Sequence, residues 1–299
     1  MNKKIDLIIN PEDFTSVHST YLEPIFKQYF NVLHFVPGTK FSNKSIIVSN
    51  CLNENLWYKD LEGKLVIDNL WEHKKSRNNR PYHSWSNKNW FWYNESLWYS
   101  RLGYDVYKPI KTYKKLALMP IRLPHAHRVL LLDRMQPFLN DFIYSYNANG
   151  IFLPDDELNS DNQQRYFNPT WYNDTYFSVV AESTIDLKDN FFISEKTFKP
   201  IAYYHPFVVL GQPSVLNYLR SQGFETFNNL FDESYDDQFE LSTRLDILFN
   251  NVKNFSRTSY DELTLEKINH NRNLFFNKEL IVQKIYEEII EPTLEYAES

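Results

Sequence analysis

Two short stretches of the chain carry residue types suited to holding a phosphorylated ligand. Phe177–Thr184 is an apolar run that ends in Glu182-Ser-Thr, and Phe192-Ile-Ser194-Glu195-Lys196 opens the helix-like stretch that follows. Ligands of open parallel sheets lie outside the carboxyl ends of the strands, so the polar end of such a run is where chemistry is expected. Ser194 is suited to cap the helix. Glu195 and Lys196 then fall in its first turn, where free backbone N–H groups and the helix dipole favour an anion. Lys196 adds a full charge, and the two oxygens of Glu195 suit the hydroxyls of a ribose or a sugar. Position alone supports equally the plainer reading that both residues merely cover a helix start. Pro200 should kink that helix or shorten it.

A second set lies upstream, in Lys115-Leu-Ala-Leu-Met-Pro-Ile-Arg122-Leu-Pro-His-Ala-His127-Arg128, where a strand runs into a loop and a helix start. An arginine at such a junction is a candidate phosphate clamp, although surface salt bridges are the commoner use. His125 and His127 are two apart and would diverge on a helix, so a polar cap or a phosphate contact is expected of them rather than a metal pair.

Together these segments resemble the donor-binding half of α-1,3-fucosyltransferases. That family shows a strand, Glu-Asn-Ser, a variable loop, aromatic-Val-Thr-Glu-Lys and then Pro-Val-Val-x-Gly; here the matching residues are Glu182-Ser-Thr, Phe192-Ile-Ser194-Glu195-Lys196 and Pro206-Phe-Val-Val-Leu-Gly211. The likeness spans roughly residues 115–235. Ser183 stands where the family has Asn and Phe192 where it usually has Tyr, departures that bear on the sugar more than on the donor class. The resemblance implies a GT-B-type glycosyltransferase, with Arg128 first and Arg122 second as the arginine that meets the diphosphate, and with inversion at the transferred carbon. Arg128, Lys196 and a helix N-terminus would hold two phosphates and stabilise charge on the leaving diphosphate without a metal ion.

For the acceptor side, Leu65-Val-Ile-Asp68-Asn-Leu-Trp-Glu72 puts carboxylates just after a strand, where either could act as general base toward a hydroxyl. Taken singly, each reads more simply as a turn residue or a helix N-terminal acid. The aromatic stretch Trp85–Trp98 could stack on a sugar or a base, though much of it should be ordinary core.

Several chemistries are disfavoured. Asp-x-Asp, the usual divalent-ion pair of single-sheet nucleotide-sugar enzymes, is absent, and none of the six glycines forms a dinucleotide or P-loop pattern. No Gly-x-Ser-x-Gly elbow occurs. Cys51 is the single cysteine, which excludes an internal disulfide and multi-cysteine zinc. A net charge of −6 disfavours a general nucleic-acid binder, but the basic clusters Lys74–Arg80 and Lys108–Lys115 leave DNA open as a partner. No apolar run long enough to span a membrane is seen, so the expected protein has no stable membrane association and is cytoplasmic.

The elements that must position these residues alternate as in α/β proteins. Strands are expected at Ile5–Ile9, Val32–Phe35, Ile46–Val48 and Leu65–Ile67, with a helix at Tyr21–Tyr29. Trp90–Tyr93 reads as a further strand, followed by a helix from Glu95 to Leu102 with Asn94 as its cap and Gly103 behind it. The alternation restarts with strands at Leu116–Met119, Phe142–Tyr144, Phe177–Val180 and Phe207–Leu210, and helices at Pro124–Met135, Ser194–Tyr204 and Ser214–Gln222. From about Asp237 to Ala297 the spacing is helical, while Asp155–Gln164 is polar and reads as an exposed or mobile loop. The expected organisation is two Rossmann-like lobes: an acceptor-side lobe over 1–108, a donor lobe over 109–275, and a C-terminal helix over 276–299 that could return to the first lobe. The function this predicts is transfer of a sugar from a nucleotide-sugar donor, with no other cofactor, to a glycan or a hydroxymethylated DNA base. A nucleotide- or glycan-binding module without catalysis is the alternative.

Overall fold

The computed structural model describes residues 5–9, 16–34, 46–49, 66–68, 84–85, 89–153, 168–186 and 191–298. The chain divides into two compact units, one formed by Met1–Leu102 with Asn277–Ser299 and the other by Gly103–Phe276. Among the described residues no helix is long and apolar enough to cross a membrane.

The first unit holds a parallel sheet of β1 (Asp6–Ile9), β2 (Asn31–His34), β3 (Ile46–Ser49), β4 (Val66–Asp68) and β5 (Ser84–Trp85), in the order β2-β1-β3-β4-β5. Helix α1 (Ser16–Tyr29) makes the crossover from β1 to β2. Helix α2 covers Trp90–Arg101 and absorbs the strand expected at Trp90–Tyr93. Aromatic residues favour strands by propensity, but packing overrides it: Trp90, Phe91, Trp92 and Tyr93 are all buried in the first turns of the helix. Asn89, not Asn94, occupies the N-cap position, and Asn94 is fully buried in the helix. The Asn89 amide and the Tyr93 hydroxyl both donate to Glu288, the latter at 2.6 Å. Gly103 follows the helix with φ 79°, the left-handed conformation that a glycine after a helix supplies at least cost. Glu288 belongs to the C-terminal helical run of α9 (Lys278–Ile285), a π-helical turn (Tyr286–Ile290) and α10 (Glu291–Glu298). Ile281, Ile285, Ile289 and Ile290 of that run are buried, which is the apolar spacing visible in the sequence.

The second unit is built on β6 (Lys115–Ile121), β7 (Phe142–Tyr146), β8 (Thr175–Ala181) and β9 (Phe207–Leu210), all parallel and ordered β7-β6-β8-β9. Every residue of β9, and every residue of β8 except Tyr176, is buried, as expected for parallel strands covered on both faces. Around them lie α3 (Ala126–Met135), α4 (Pro169–Asn173), α5 (Glu195–Ala202), α6 (Val215–Ser221), α7 (Leu241–Asn254) and α8 (Glu262–Phe275). Phe177 packs against Phe255 and Phe231, with ring centroids 4.6 Å and 5.1 Å away. Pro200 lies inside α5, which ends two residues later. The strand order reverses between β6 and β8, because the chain goes one way to β7 and returns past β6 to β8 and β9. The carboxyl ends of those two strands therefore flank the crevice where ligands of such sheets bind.

Glu72, the Lys74–Arg80 cluster and the Asp155–Gln164 segment lie outside the described residues. Asp68 is described in backbone alone.

Candidate functional site

Glu182 follows the last residue of β8 and is fully buried. Its Oε1 accepts from the Ser194 amide at 3.1 Å and the Thr197 hydroxyl at 2.6 Å, and its Oε2 accepts from the Ser194 hydroxyl at 2.5 Å. Both carboxylate oxygens thus hold the start of α5. Ser194 is the N-cap residue of α5, and its hydroxyl accepts from the Lys196 amide at 3.3 Å. Gln212, just after β9, fixes the same loop from the other side: its Oε1 accepts from the Phe192 amide at 2.7 Å and its Nε2 donates to the Asp186 carbonyl at 2.8 Å. Loops pinned at both ends give the helix start a defined position.

Across the switch point, α3 delivers Arg128 to the same place. The guanidinium, 3% exposed, donates through Nε to the Glu182 carbonyl at 3.3 Å and through Nη2 to the Ser183 hydroxyl at 3.3 Å. Lys196 Nζ donates to the same Ser183 hydroxyl at 3.2 Å, to Ser194 Oγ at 3.1 Å and to Glu195 Oε1 at 2.9 Å. Two cations from different helices therefore meet at one neutral oxygen, beside the N-terminus of α5.

Glu195 is 4% exposed, and its Oε2 has no hydrogen-bond partner among the described residues. Burial pushes its pKa up, but Lys196 and Lys199 outweigh that and hold it below the usual carboxylate value. The side chain is therefore ionised at neutral pH, with one oxygen committed to Lys196 and the other able to accept. Arg122 is exposed on the loop after β6.

His127 is engaged within the fold. It is buried, and its Nε2 lies 2.8 Å from the Glu182 carbonyl, which requires the proton on Nε2. Burial lowers its pKa to about 4, with Arg128 adding to the effect. His125 occupies the N-cap position of α3 without a side-chain cap bond, so no polar cap forms there either. Ser183 as a shared acceptor and Thr197 as a ligand of Glu182 are not singled out by spacing; the one local signal is that Ser183 directly follows the strand-end acid. In the first unit Asp68 ends β4 and pairs in register with Ser49, the last residue of β3. Among the described residues no group of three or more His, Cys, Asp or Glu side chains could hold a metal ion.

No family model matches the chain, and neither does any curated protein sequence. Among solved structures it is similar to one described as an α1,3-fucosyltransferase, at 12% identity and a TM-score of 0.53, over 96% of this chain and 90% of that one. Two further similar structures are described as α1,3-fucosyltransferase with GDP-fucose, at 14% identity, TM-score 0.43 and coverage of 92% and 90%, and with GDP, at 11% identity, TM-score 0.42 and coverage of 94% and 91%. The chain, a mixed α/β protein with two parallel sheets, therefore has a fucosyltransferase-like fold of the GT-B type.

Proposed function

We propose that the chain is a glycosyltransferase that takes a sugar from a nucleotide-sugar donor. The observation that carries this reading is the meeting of Arg128 and Lys196 at Ser183, on the switch point of the second sheet and beside the N-terminus of α5. A diphosphate is a stronger acceptor than a serine hydroxyl, and it would draw on both cations and on the positive end of the α5 dipole. Glu195, ionised and with one oxygen unpartnered, would take the ribose hydroxyls. Glu182 acts through the loop, holding Ser194 and hence the helix start in place. Arg122, exposed at the end of β6, is the second candidate for the phosphates.

The reaction in this reading is a single displacement. An acceptor hydroxyl oxygen bonds to the anomeric carbon as the bond from that carbon to the diphosphate breaks, with inversion; the hydroxyl proton passes to Asp68 or Glu72, and the diphosphate leaves with the electron pair. Arg128 and Lys196 stabilise that charge, so no metal ion is needed. The acceptor is a glycan or a hydroxymethylated DNA base, and the setting is cytoplasmic with no stable membrane association.

A thermal-shift screen against nucleoside diphosphates and nucleotide sugars tests the donor site, repeated with Lys196→Ala. A ligand at 100-fold its Kd should add about 2.7 kcal/mol of stability. Stabilisation by one diphosphate that disappears in the variant is expected; no response to any of them would overturn the proposal. Binding without turnover or donor hydrolysis on any acceptor would instead identify a binding module.

A further inference from the structure

At the opposite ends of the same strands, a pocket of about 300 Å³ opens within the Gly103–Phe276 unit. Lys108, Lys111, Tyr113, Tyr204, Tyr260 and Asn269 line it, with apolar side chains of α8 completing the wall. Tyr113 stands just before β6, whereas Glu182 and Ser183 follow the far end of β8, so the pocket is separate from the site described above.

Its polar end has unused capacity. Lys111 Nζ donates to the Tyr172 carbonyl at 2.8 Å, its sole hydrogen bond among the described residues, and no carboxylate there pairs with it. An ammonium carries three donors, so two remain for a ligand. Burial pushes its pKa down to about 7, the cost of an ammonium held without a counter-charge.

The walls are preorganised. Of the non-glycine residues with positive φ among those described, Tyr113 (50°) and Tyr204 (54°) both line this pocket. Bulky residues rarely hold that conformation, and it concentrates at functional sites. Tyr113 is kept there by its amide bond to the Asn173 carbonyl at 3.2 Å and by stacking on Tyr176 at 4.4 Å. Tyr204 lies under the Arg272 guanidinium at 4.3 Å. Tyr260 stands edge-on to Tyr113, its hydroxyl bonded to the Tyr176 carbonyl.

We propose that this pocket binds an anionic sugar, a sugar phosphate or a sugar carboxylate, with its ring against the tyrosines and its acid group on Lys111 and Lys108. The volume is at the lower end of the range for small-molecule pockets, ~300–1,000 Å³, which suits one ring with one acid group and not a whole nucleotide sugar. A neutral sugar would leave Lys111 unmet, and inorganic phosphate would leave the aromatic wall wet. Asn269 offers an amide that can donate to and accept from ring hydroxyls.

Calorimetric titration of the full chain with glucose 6-phosphate and with glucuronate tests this, with glucose and inorganic phosphate as controls. Binding of at least one anionic sugar with Kd below about 1 mM is expected, at least about tenfold tighter than either control. Which of the two wins tells phosphate from carboxylate. Lys111→Met should weaken it about tenfold or more, and Lys108→Ala, at an exposed position that does not endanger folding, severalfold, in line with charge-assisted bonds. Lys196→Ala should leave it unchanged. Failure of both anionic sugars to bind, parity with inorganic phosphate, wild-type binding by Lys108→Ala together with Lys111→Met, or loss of binding in Lys196→Ala would each overturn the proposal.

Discussion

Arg128 and Lys196 share a single acceptor, the Ser183 hydroxyl, which receives Nη2 of the first at 3.3 Å and Nζ of the second at 3.2 Å. Lys196 also pairs with Glu195 and Arg128 also donates to the Glu182 carbonyl, but the acceptor the two cations share is neutral, and bonds to ionised acceptors are roughly twice as strong. In the proposed reading a phosphate takes the place of that serine oxygen. Arg128→Gln and Lys196→Ala should each weaken nucleoside diphosphate binding by ~10–100-fold, the loss of one charge-assisted bond of ~1.5–3 kcal/mol. Because both act on one group, the double variant should lose less than the product of the single effects. Calorimetric titration of the four proteins checks this; strictly multiplicative losses would mean that the two cations do not share a ligand.

The carboxylate of Glu182 predicts a stability effect that is separable from binding. Its oxygens accept from the Ser194 amide, the Ser194 hydroxyl and the Thr197 hydroxyl in a fully buried place. In Glu182→Gln, either orientation of the amide sets an NH2 group against one of these donors. A cost of ~1–3 kcal/mol is expected for the bond that is lost and the donor left unmet. Urea unfolding should register it as a lower midpoint with an unchanged slope. A variant as stable as the wild type would show that the helix start is held by something else.

Those same residues show how far the sequence can be read. β8 and β9 are legible because they are buried on both faces and so become largely apolar runs, and Ser194 is legible as a cap because the helix pattern starts right behind it. The C-terminal helices are legible from their isoleucine spacing. Trp90–Tyr93 misleads for a physical reason: four aromatic residues favour a strand locally, while their burial in a helix depends on residues far along the chain, such as Glu288. The two-residue β5 and the short α4 carry too little pattern to announce themselves. The strand order, and with it the approach of Arg128 to Ser183, is a long-range fact that spacing along the chain does not encode.

The imidazole of His127 makes the acid limb of stability specific. Burial holds its pKa at about 4, whereas the unfolded chain takes up that proton near 6.5. As pH falls from about 6.5 to about 4 the unfolded state binds more protons, so the contribution of His127 to stability is present above the unfolded value and lost through this window, by on the order of 3 kcal/mol. His205, lowered by burial, acts in the same direction. Asp236, pushed up to about 6 by burial, opposes both below that pH, because there the folded state holds the extra proton. The His127 part is isolated by His127→Gln, whose amide can still donate to the Glu182 carbonyl. Denaturant midpoints of the two proteins should move in favour of the variant as pH falls from about 6.5 to about 4. A gap that does not change with pH would show that His127 takes up its proton in the folded state as readily as in the unfolded chain.

Glu195 offers the sharpest test of what the strand-end site reads. Its Oε1 pairs with Lys196 at 2.9 Å, its Oε2 is buried without a partner among the described residues, and Lys196 and Lys199 keep it ionised against the effect of burial. A buried, ionised oxygen with no donor is costly unless a ligand supplies one, and the hydroxyls of a ribose are donors of the right kind. Sites built to bond a hydroxyl discriminate strongly against the analogue that lacks it, since the acceptor is then left unmet. The wild-type protein should therefore bind a ribonucleoside diphosphate at least about tenfold more tightly than its 2′-deoxy counterpart. Glu195→Gln keeps the shape but loses the charge and one acceptor, so it should weaken the ribonucleotide and bring the two ligands to near parity. Equal binding of both sugars by the wild type would remove Glu195 from the ribose and leave it as the partner of Lys196 alone, while the phosphate contacts of Arg128 and Lys196 would still stand or fall on their own variants.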